Sequence, residues 1–392
     1  MEYIVLRASP LASAEDANIQ LTGARDRQPE FSIEAATIDS EAQLADNRRD
    51  PAIRAMAPVM PTALIEPVSR QEGTVSQVWG IDAVGCNHTP YTGAGVKLAI
   101  LDTGIFADHP AFRGRKPECR NFTLGKADDT TGHGTHCAGT IFGRSVKGRR
   151  IGVAPGIDDV MVGKVIDKVG GDTRMLFEAL SWAIAGGANI ITLSLGLNIA
   201  RMIEDTVGIG LPRDIAASRV LDAYRDNLRL FDNLMAIALN PSPFSGGAVV
   251  LAAVGNDSRA GQDPRFRAST TLPAAALNVL SVGALERSTQ GLMTAPFSNA
   301  SPEICAPGVD VFSAALDGGL VSMSGTSMAC PHAAGVAALW WEAVQKQGYG
   351  TKTAAVVRER LLSSASLDGL AESTFELRGR GIVQAPGANL QI

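Results

Sequence analysis

The stretch Ser324-Gly325-Thr326-Ser327-Met328-Ala329-Cys330-Pro331-His332 closes a set of three motifs in a fixed chain order. The set opens at Asp102-Thr103-Gly104 and passes through Gly132-His133-Gly134-Thr135-His136. A carboxylate, an imidazole and a hydroxyl are the parts of a nucleophile activated by an oriented base. Their order matters as much as their presence. Other scaffolds that carry such a triad run His, Asp, Ser or Ser, acid, His, so acid, base, nucleophile singles out a third architecture.

Working outward, the chain from Gly80 alternates apolar strands with helical stretches, which predicts an α/β fold with a doubly wound, mainly parallel sheet. Val96 to Leu101 is a near-continuous apolar run of the kind covered on both faces. A helix is expected over Thr173 to Ala185, with Leu176, Ala179, Leu180, Ala183 and Ile184 on one stripe and Gly186-Gly187 as its stop. It feeds a strand over Asn189 to Leu195, a unit that favours the right-handed crossover. Asp102 ends its strand, and in an open parallel sheet sites are built at the carboxyl ends of strands. His133 is preferred among the five histidines because Gly132 and Gly134 leave room around it, whereas His136, one turn on, is expected to pack internally. His88, His109 and His332 remain outside the set. Ser327 is expected to open a helix continuing through Gly335, Ala338 and Trp340, with Pro331 tolerated in the first turn and the hydroxyl at the positive end of the helix dipole.

With Leu251-Ala252-Ala253-Val254-Gly255-Asn256 as a fourth motif, the chain from about Gly80 to Leu339 resembles the subtilases, the subtilisin-like serine peptidases. The resemblance implies a subtilisin-like catalytic domain in which Ser327 is the nucleophile, His133 the base and then the acid, Asp102 its orienter, and Asn256 the side-chain donor to the oxyanion. It further implies that Ser194-Leu195-Gly196 and Ala253-Val254-Gly255 wall a cleft that binds an extended peptide through its backbone, and places Thr271 near the base of the primary specificity pocket. Cys137 resembles a free cysteine found beneath the histidine in some subtilases; it and Cys330 are read as packing residues. No cofactor is expected. Many subtilases hold a strong calcium ion at positions that here read Ala111 and Val146, beside Arg144 and Lys147, so that metal site is expected to be absent.

Residues 1–70 read as a separate α+β unit: apolar Tyr3 to Leu6, alternating Phe31 to Ile38, a helical stretch Ser40 to Arg49 stopped at Asp50-Pro51, then Ile53 to Ile65. This unit resembles the small ferredoxin-like propeptide of the family, although Ala8 to Glu30 is short for the helix and strand expected there. The implied division is a propeptide-like inhibitor over 1–70, with its boundary within 65–73, and a catalytic domain over 71–392. Autocleavage is expected between Ile65 and Gly73. Between 197 and 247 the chain is longer than the family requires, and Leu221, Tyr224, Leu228, Phe231 and Met235 follow helical spacing there. Core packing and a partner-binding or substrate-gating surface are both open for that stripe.

Composition bounds the remainder. With 392 residues, 45% hydrophobic and 19% charged, the chain can bury one large core and a small second unit. A formal charge of −5 and the short Lys147-Gly148-Arg149-Arg150 cluster give no footprint for nucleic acid. No run approaches the roughly 18 apolar residues of a membrane span. The N-terminus lacks the cationic and apolar regions of an export signal, and Cys86, Cys119, Cys137, Cys305 and Cys330 form no paired framework; together these predict a cytoplasmic protein. Expected partners are a peptide or protein substrate and the chain's own propeptide. The leading function is an endopeptidase acting through an acyl-enzyme. A macrocyclase or ligase passing the same acyl group to an amine, and an inactive peptide-binding relative, are the alternatives.

Overall fold

The computed structural model describes residues 1–8, 31–72, 78–239, 246–347, 353–371 and 373–387. In chain order, the first elements are β1 (Glu2–Ala8), β2 (Phe31–Thr37), α1 (Glu41–Arg49), β3 (Ile53–Pro58), β4 (Pro61–Leu64) and β5 (Ser69–Glu72). Next come α2 (Trp79–Ala83), β6 (Lys97–Asp102), β7 (Glu118–Asn121), α3 (His133–Phe142), β8 (Asp159–Lys164), β9 (Gly171–Asp172), α4 (Thr173–Ala185), β10 (Ile190–Leu193) and β11 (Leu195–Gly196). Then follow α5 (Ile199–Gly208), α6 (Arg213–Leu239), β12 (Val249–Ala253), β13 (Val279–Ser288), β14 (Gly291–Thr294), β15 (Ile304–Pro307), β16 (Val311–Ala314) and β17 (Leu320–Ser324). The chain closes with α7 (Thr326–Lys346), α8 (Thr353–Ser364) and α9 (Phe375–Arg378).

The main sheet runs β14-β13-β12-β10-β6-β8-β7, with β15 also paired to β13. Every pairing in it is parallel except β13 with β14. Along β6 the faces alternate: Leu98 and Ile100 enter one core with α3 and α7, while Ala99 and Leu101 enter the other with α4 and α6. Both faces are thus dry, which is why the strand reads as unbroken apolar sequence. Helix α4 occupies the span expected for it, opened by Asp172, whose side chain accepts from Met175 N.

The N-terminal strands form their own antiparallel sheet, ordered β2-β1-β3, with α1 connecting the two outer strands. Ser40 caps α1 by accepting from Gln43 N at 3.2 Å. Ile4, Leu6, Phe31, Ala57 and Met60 of this unit share one apolar cluster with Phe177, Leu230, Phe231 and Leu234 of the body, while Tyr3, Val5, Ile38 and Met56 form a small cluster of their own. The segment over 9–30 that was read as short falls outside the described residues.

Within 197–247 a helix not expected there, α5, precedes the expected one, which is α6, 27 residues long and lying against β3. Its Phe231 and Met235 are buried, but Leu221 is 56% exposed and Tyr224 and Leu228 only partly covered. The buried row follows Val220, Asn227, Leu230, Phe231 and Leu234, because the N-terminal sheet supplies part of its cover. Asn227 donates to Pro58 O at 2.9 Å, and Arg48 meets Asp226 at 3.3 Å.

Candidate active site

Asp102 is the last residue of β6 and is 2% exposed. Its Oδ1 stands 2.7 Å from Nδ1 of His133, the first residue of α3. The turn before α3 needs its glycines. Gly132 has φ +80°, and a Cβ on Gly134 would fall 2.2 Å from Gly104 O, so Asp102 and His133 approach only because neither loop carries bulk there. Burial by itself would push the imidazole towards its neutral form. The Asp102 carboxylate outweighs that and raises the pKa of His133, with Asp129 and Glu66 adding to the pull.

Ser327 is the second residue of α7 and is fully buried. Since α7 begins at Thr326, Pro331 lies in its second turn, not the first as the sequence reading had it. Proline there withholds the amide that would bond the carbonyl of Ser327. Cys137 supplies the replacement: its Sγ lies 3.4 Å from Ser327 O and 3.9 Å from His133 Nδ1. Burial raises its thiol well above the ordinary range, so it sits neutral beneath the site.

Asn256 follows β12, and its orientation is fixed by chemistry. Its Oδ1 accepts from Thr326 N and Thr326 Oγ1, both at 2.9 Å, which leaves Nδ2 facing the cleft. Asn299, 1% exposed, holds the neighbouring loop by accepting from Asp257 N at 2.9 Å and donating to Val254 O at 3.1 Å. Nothing in the sequence reading pointed to Asn299, because the partners of its side chain, from Val254 to Ser269, lie at least 30 residues earlier.

The cleft is filled by the protein's own chain. Strand β4 pairs antiparallel with β11, Leu64 opposite Leu195 and Ala63 opposite Gly196, and Ile65 N reaches Ser194 O at 3.4 Å. Ser327 Oγ donates to Ile65 O at 3.0 Å, and Asn256 Nδ2 donates to Glu66 O at 2.8 Å. Val68 N then meets Ser324 O at 2.8 Å, and β5 pairs antiparallel with β17. The Nε2 of His133 is buried without a hydrogen-bond partner. Thus Ser327 Oγ and Asn256 Nδ2 hold successive carbonyls, and His133 Nε2 bonds to neither.

Ser194, Leu195 and Gly196 therefore lie along the bound segment. A Cβ placed on Gly196 would have Thr271 Oγ1 at 3.6 Å and Ile65 Cδ1 at 3.9 Å, so Thr271 borders the space beside the Ile65 side chain. Ala253, Val254 and Gly255 use their backbone within the body: Ala253 pairs in register with Val282, Val254 N bonds Val282 O at 3.2 Å, and Gly255 N bonds Thr326 Oγ1 at 3.2 Å. They back the site without pairing with the segment. His136 and His332 are buried away from it, Nε2 of His136 on Val311 O at 2.9 Å and Nδ1 of His332 on Met328 O at 2.8 Å. Desolvation lowers their pKa values to about 3 and about 4.

Among the described residues, Asp102, His133 and Cys137 are the one trio whose donor atoms lie within 4.8 Å of one another. Two of those atoms are already joined in the Asp–His hydrogen bond. At the positions read for calcium, Ala111 and Val146 are buried apolar residues, and Arg113, Arg144 and Lys147 line an adjacent cavity of about 380 Å³.

The Subtilase family profile matches residues 93–381. The thermostable alkaline protease of Halalkalibacterium halodurans is 32% identical over 322 residues, covering 80% of this chain and 74% of that protein. Subtilisin E of Bacillus subtilis is 30% identical over 363 residues, 90% of this chain and 80% of its own, and the subtilisin of Bacillus pumilus is 32% identical over 314 residues, 79% and 96%. These relatives overturn the cytoplasmic placement, being secreted extracellular subtilisins. The thiols were a poor guide to compartment: Cys86, Cys137, Cys305 and Cys330 are buried and sample neither an oxidising nor a reducing solvent. Among the described residues no helix is long and apolar enough to cross a membrane.

Proposed function

This chain belongs to the subtilase family, and from that premise we propose a role for each active-site residue and for the N-terminal unit. The protein is a subtilisin-like serine endopeptidase acting on peptide or protein substrates. In our assignment Ser327 Oγ attacks the substrate carbonyl while His133 Nε2 takes its proton. Asp102 holds the imidazole tautomer through Nδ1 and stabilises the imidazolium. His133 then returns the proton to the leaving amine, and water releases the acyl group from Ser327 by the same route. Asn256 Nδ2 and the Ser327 amide at the start of α7 face the charge that develops on the carbonyl oxygen.

Residues 1–65 are assigned as a ferredoxin-like propeptide, with β2-α1-β3 as a split unit around β1. Its C-terminal strand is the first substrate. The observation that carries this reading is the contact of Ser327 Oγ with Ile65 O, in a segment whose Ile65 N reaches Ser194 O and whose Ala63 pairs with Gly196. That register makes Ile65 the acyl residue and Ile65–Glu66 the bond to be cut. To cut it, Ser327 Oγ turns to His133 Nε2, and Asn256 exchanges Glu66 O for Ile65 O. Intact-mass and N-terminal analysis tests the assignment: wild type gains a chain beginning at Glu66, while Ser327→Ala stays whole. Fully active, uncut wild type makes residues 1–65 a permanent domain, and a cut Ser327→Ala chain assigns the processing to another protease.

A further inference from the structure

Helix α3 starts without a capping side chain, since its N-cap is Gly132, and its opening amides must find partners elsewhere. One carboxylate organises the group of side chains that supplies them. Asp129, 6% exposed, accepts at Oδ1 from Gly132 N at 2.9 Å, Thr131 N at 3.0 Å, Thr131 Oγ1 at 3.1 Å and Thr103 Oγ1 at 2.9 Å. At Oδ2 it accepts from Thr135 N at 2.9 Å and Thr135 Oγ1 at 2.7 Å. The remaining amides of the first turn go to the same group of side chains: His133 N to Thr131 Oγ1 at 3.2 Å, and Gly134 N to Thr103 Oγ1 at 2.9 Å.

Thr103 is the residue after Asp102, and its own amide donates to Asp102 Oδ1 at 2.7 Å. The network therefore runs from the strand end that holds one member of the triad to the helix start that holds another. We propose that Asp129 is a positioning residue for the reaction: it ties the His133 turn to the Asp102 strand end, and its buried negative charge favours the imidazolium formed during turnover. The inference rests on the assignment of His133 as base. A helix cap alone would need one or two amides and would have no reason to reach Thr103.

Its charge acts in company. The groups that act on His133 are Asp102, Asp129, the Glu66 carboxylate of the bound segment, His136, and the neutral thiol of Cys137. Lys164, a buried cation on β8, donates to Asp128 O at 2.8 Å, next to Asp129 in sequence. Of these three anions Asp102 is the one hydrogen-bonded to the imidazole, so removing the Asp129 charge should weaken the protonated state while leaving the Asp102 contact in place.

The test compares processed Asp129→Asn, Thr103→Val and wild type on one peptide substrate across pH. Asp129→Asn should lower kcat about tenfold or more with KM within about twofold, because a small misplacement of a base is felt in the chemical step. Its acid limb of kcat/KM should also move to lower pH. Thr103→Val keeps the charge and cuts the tie, so kcat should fall while the acid limb stays. Folded Asp129→Asn with a wild-type profile and wild-type kcat overturns the proposal. If that variant does not accumulate, Thr103→Val decides, and unchanged kcat there overturns it. His133→Ala separates the two levels: retained activity sinks the base assignment itself, whereas a dead His133→Ala beside an unaltered Asp129→Asn sinks only the role given to Asp129.

Discussion

Asn256 Nδ2 lies 2.8 Å from the carbonyl oxygen of Glu66, one residue beyond the carbonyl that Ser327 Oγ holds. In the roles proposed for them both groups act on one carbonyl, and on that assignment the bound segment sits a single residue out of the reactive register. The hydroxyl spends its proton on Ile65 O, and His133 Nε2 has nothing to abstract.

The proposed triad would act as a unit, so Ser327→Ala and His133→Ala should each remove about 10⁵- to 10⁶-fold of kcat, and the double variant should be no worse than either. Progress curves on a peptide substrate measure this. His136→Ala that is folded and equally dead, with His133→Ala still turning over, would give the base to the wrong helix position.

Acid should weaken the fold through two histidines that are not in the site. His136 and His332 have folded pKa values lowered to about 3 and about 4 by burial, below the value near 6.5 they regain on unfolding. The unfolded chain then binds more protons, so their contribution is complete above about pH 6.5 and shrinks as pH falls towards 4 and 3. Each should cost roughly 1.4 kcal/mol per pH unit inside that window. Urea midpoints between pH 7 and pH 4 should fall accordingly, and His332→Asn should flatten the slope. Equal slopes in the two proteins would rule out His332 as a contributor.

Glu342 sits on α7 and is 4% exposed, and its Oε2 accepts from Thr92 N, Gly93 N and Ala94 N at 2.7, 2.8 and 3.1 Å. Glu342→Ala strips three amides of their acceptor at once. A loss of about 3 kcal/mol is expected, read as a lower urea midpoint at unchanged m-value. Activity of the surviving folded fraction should match wild type, since the carboxylate lies at the far end of the helix from Ser327.

A chelator should leave Tm within about a degree of its starting value, because a native-state ligand is felt only if its removal matters. The reasoning is local: Ala111 and Val146 offer apolar side chains, and the neighbouring cavity carries Arg113, Arg144 and Lys147. A drop of about 10 °C or more would reveal a bound cation elsewhere in the chain.

The triad motifs were legible because each is short and carries its own glycines: Gly132 and Gly134 announce the crowding at His133 before any contact is known. Helix α4 was legible because its apolar stripe and the Gly186-Gly187 stop that follows it are both local to it. What escaped depends on distant surfaces. The row on α6 is offset from the expected stripe, leaving Leu221 in solvent, because the N-terminal sheet covers one flank. Asp129 gave no signal, since an aspartate in a polar loop looks like a solvated turn until Thr103 arrives from another strand. Pro331 was placed one turn early although the helix start was read within one residue of Thr326, because the fifth residue of a helix already lies beyond its first turn. The bound register was hidden because it is set by pairing of β4 with β11 and β5 with β17.

Those two pairings have a thermodynamic consequence. The chain on either side of Ile65–Glu66 is gripped by a different sheet, so cutting the bond would leave the new carboxyl end on β11 and the new amine on β17, facing each other across Ser327. Their encounter is then intramolecular, with an effective molarity far above any concentration of free peptide. Were the bond cut, hydrolysis and resynthesis would compete until one of the two ends let go, and that detachment, a step with no covalent chemistry in it, would make the cut permanent.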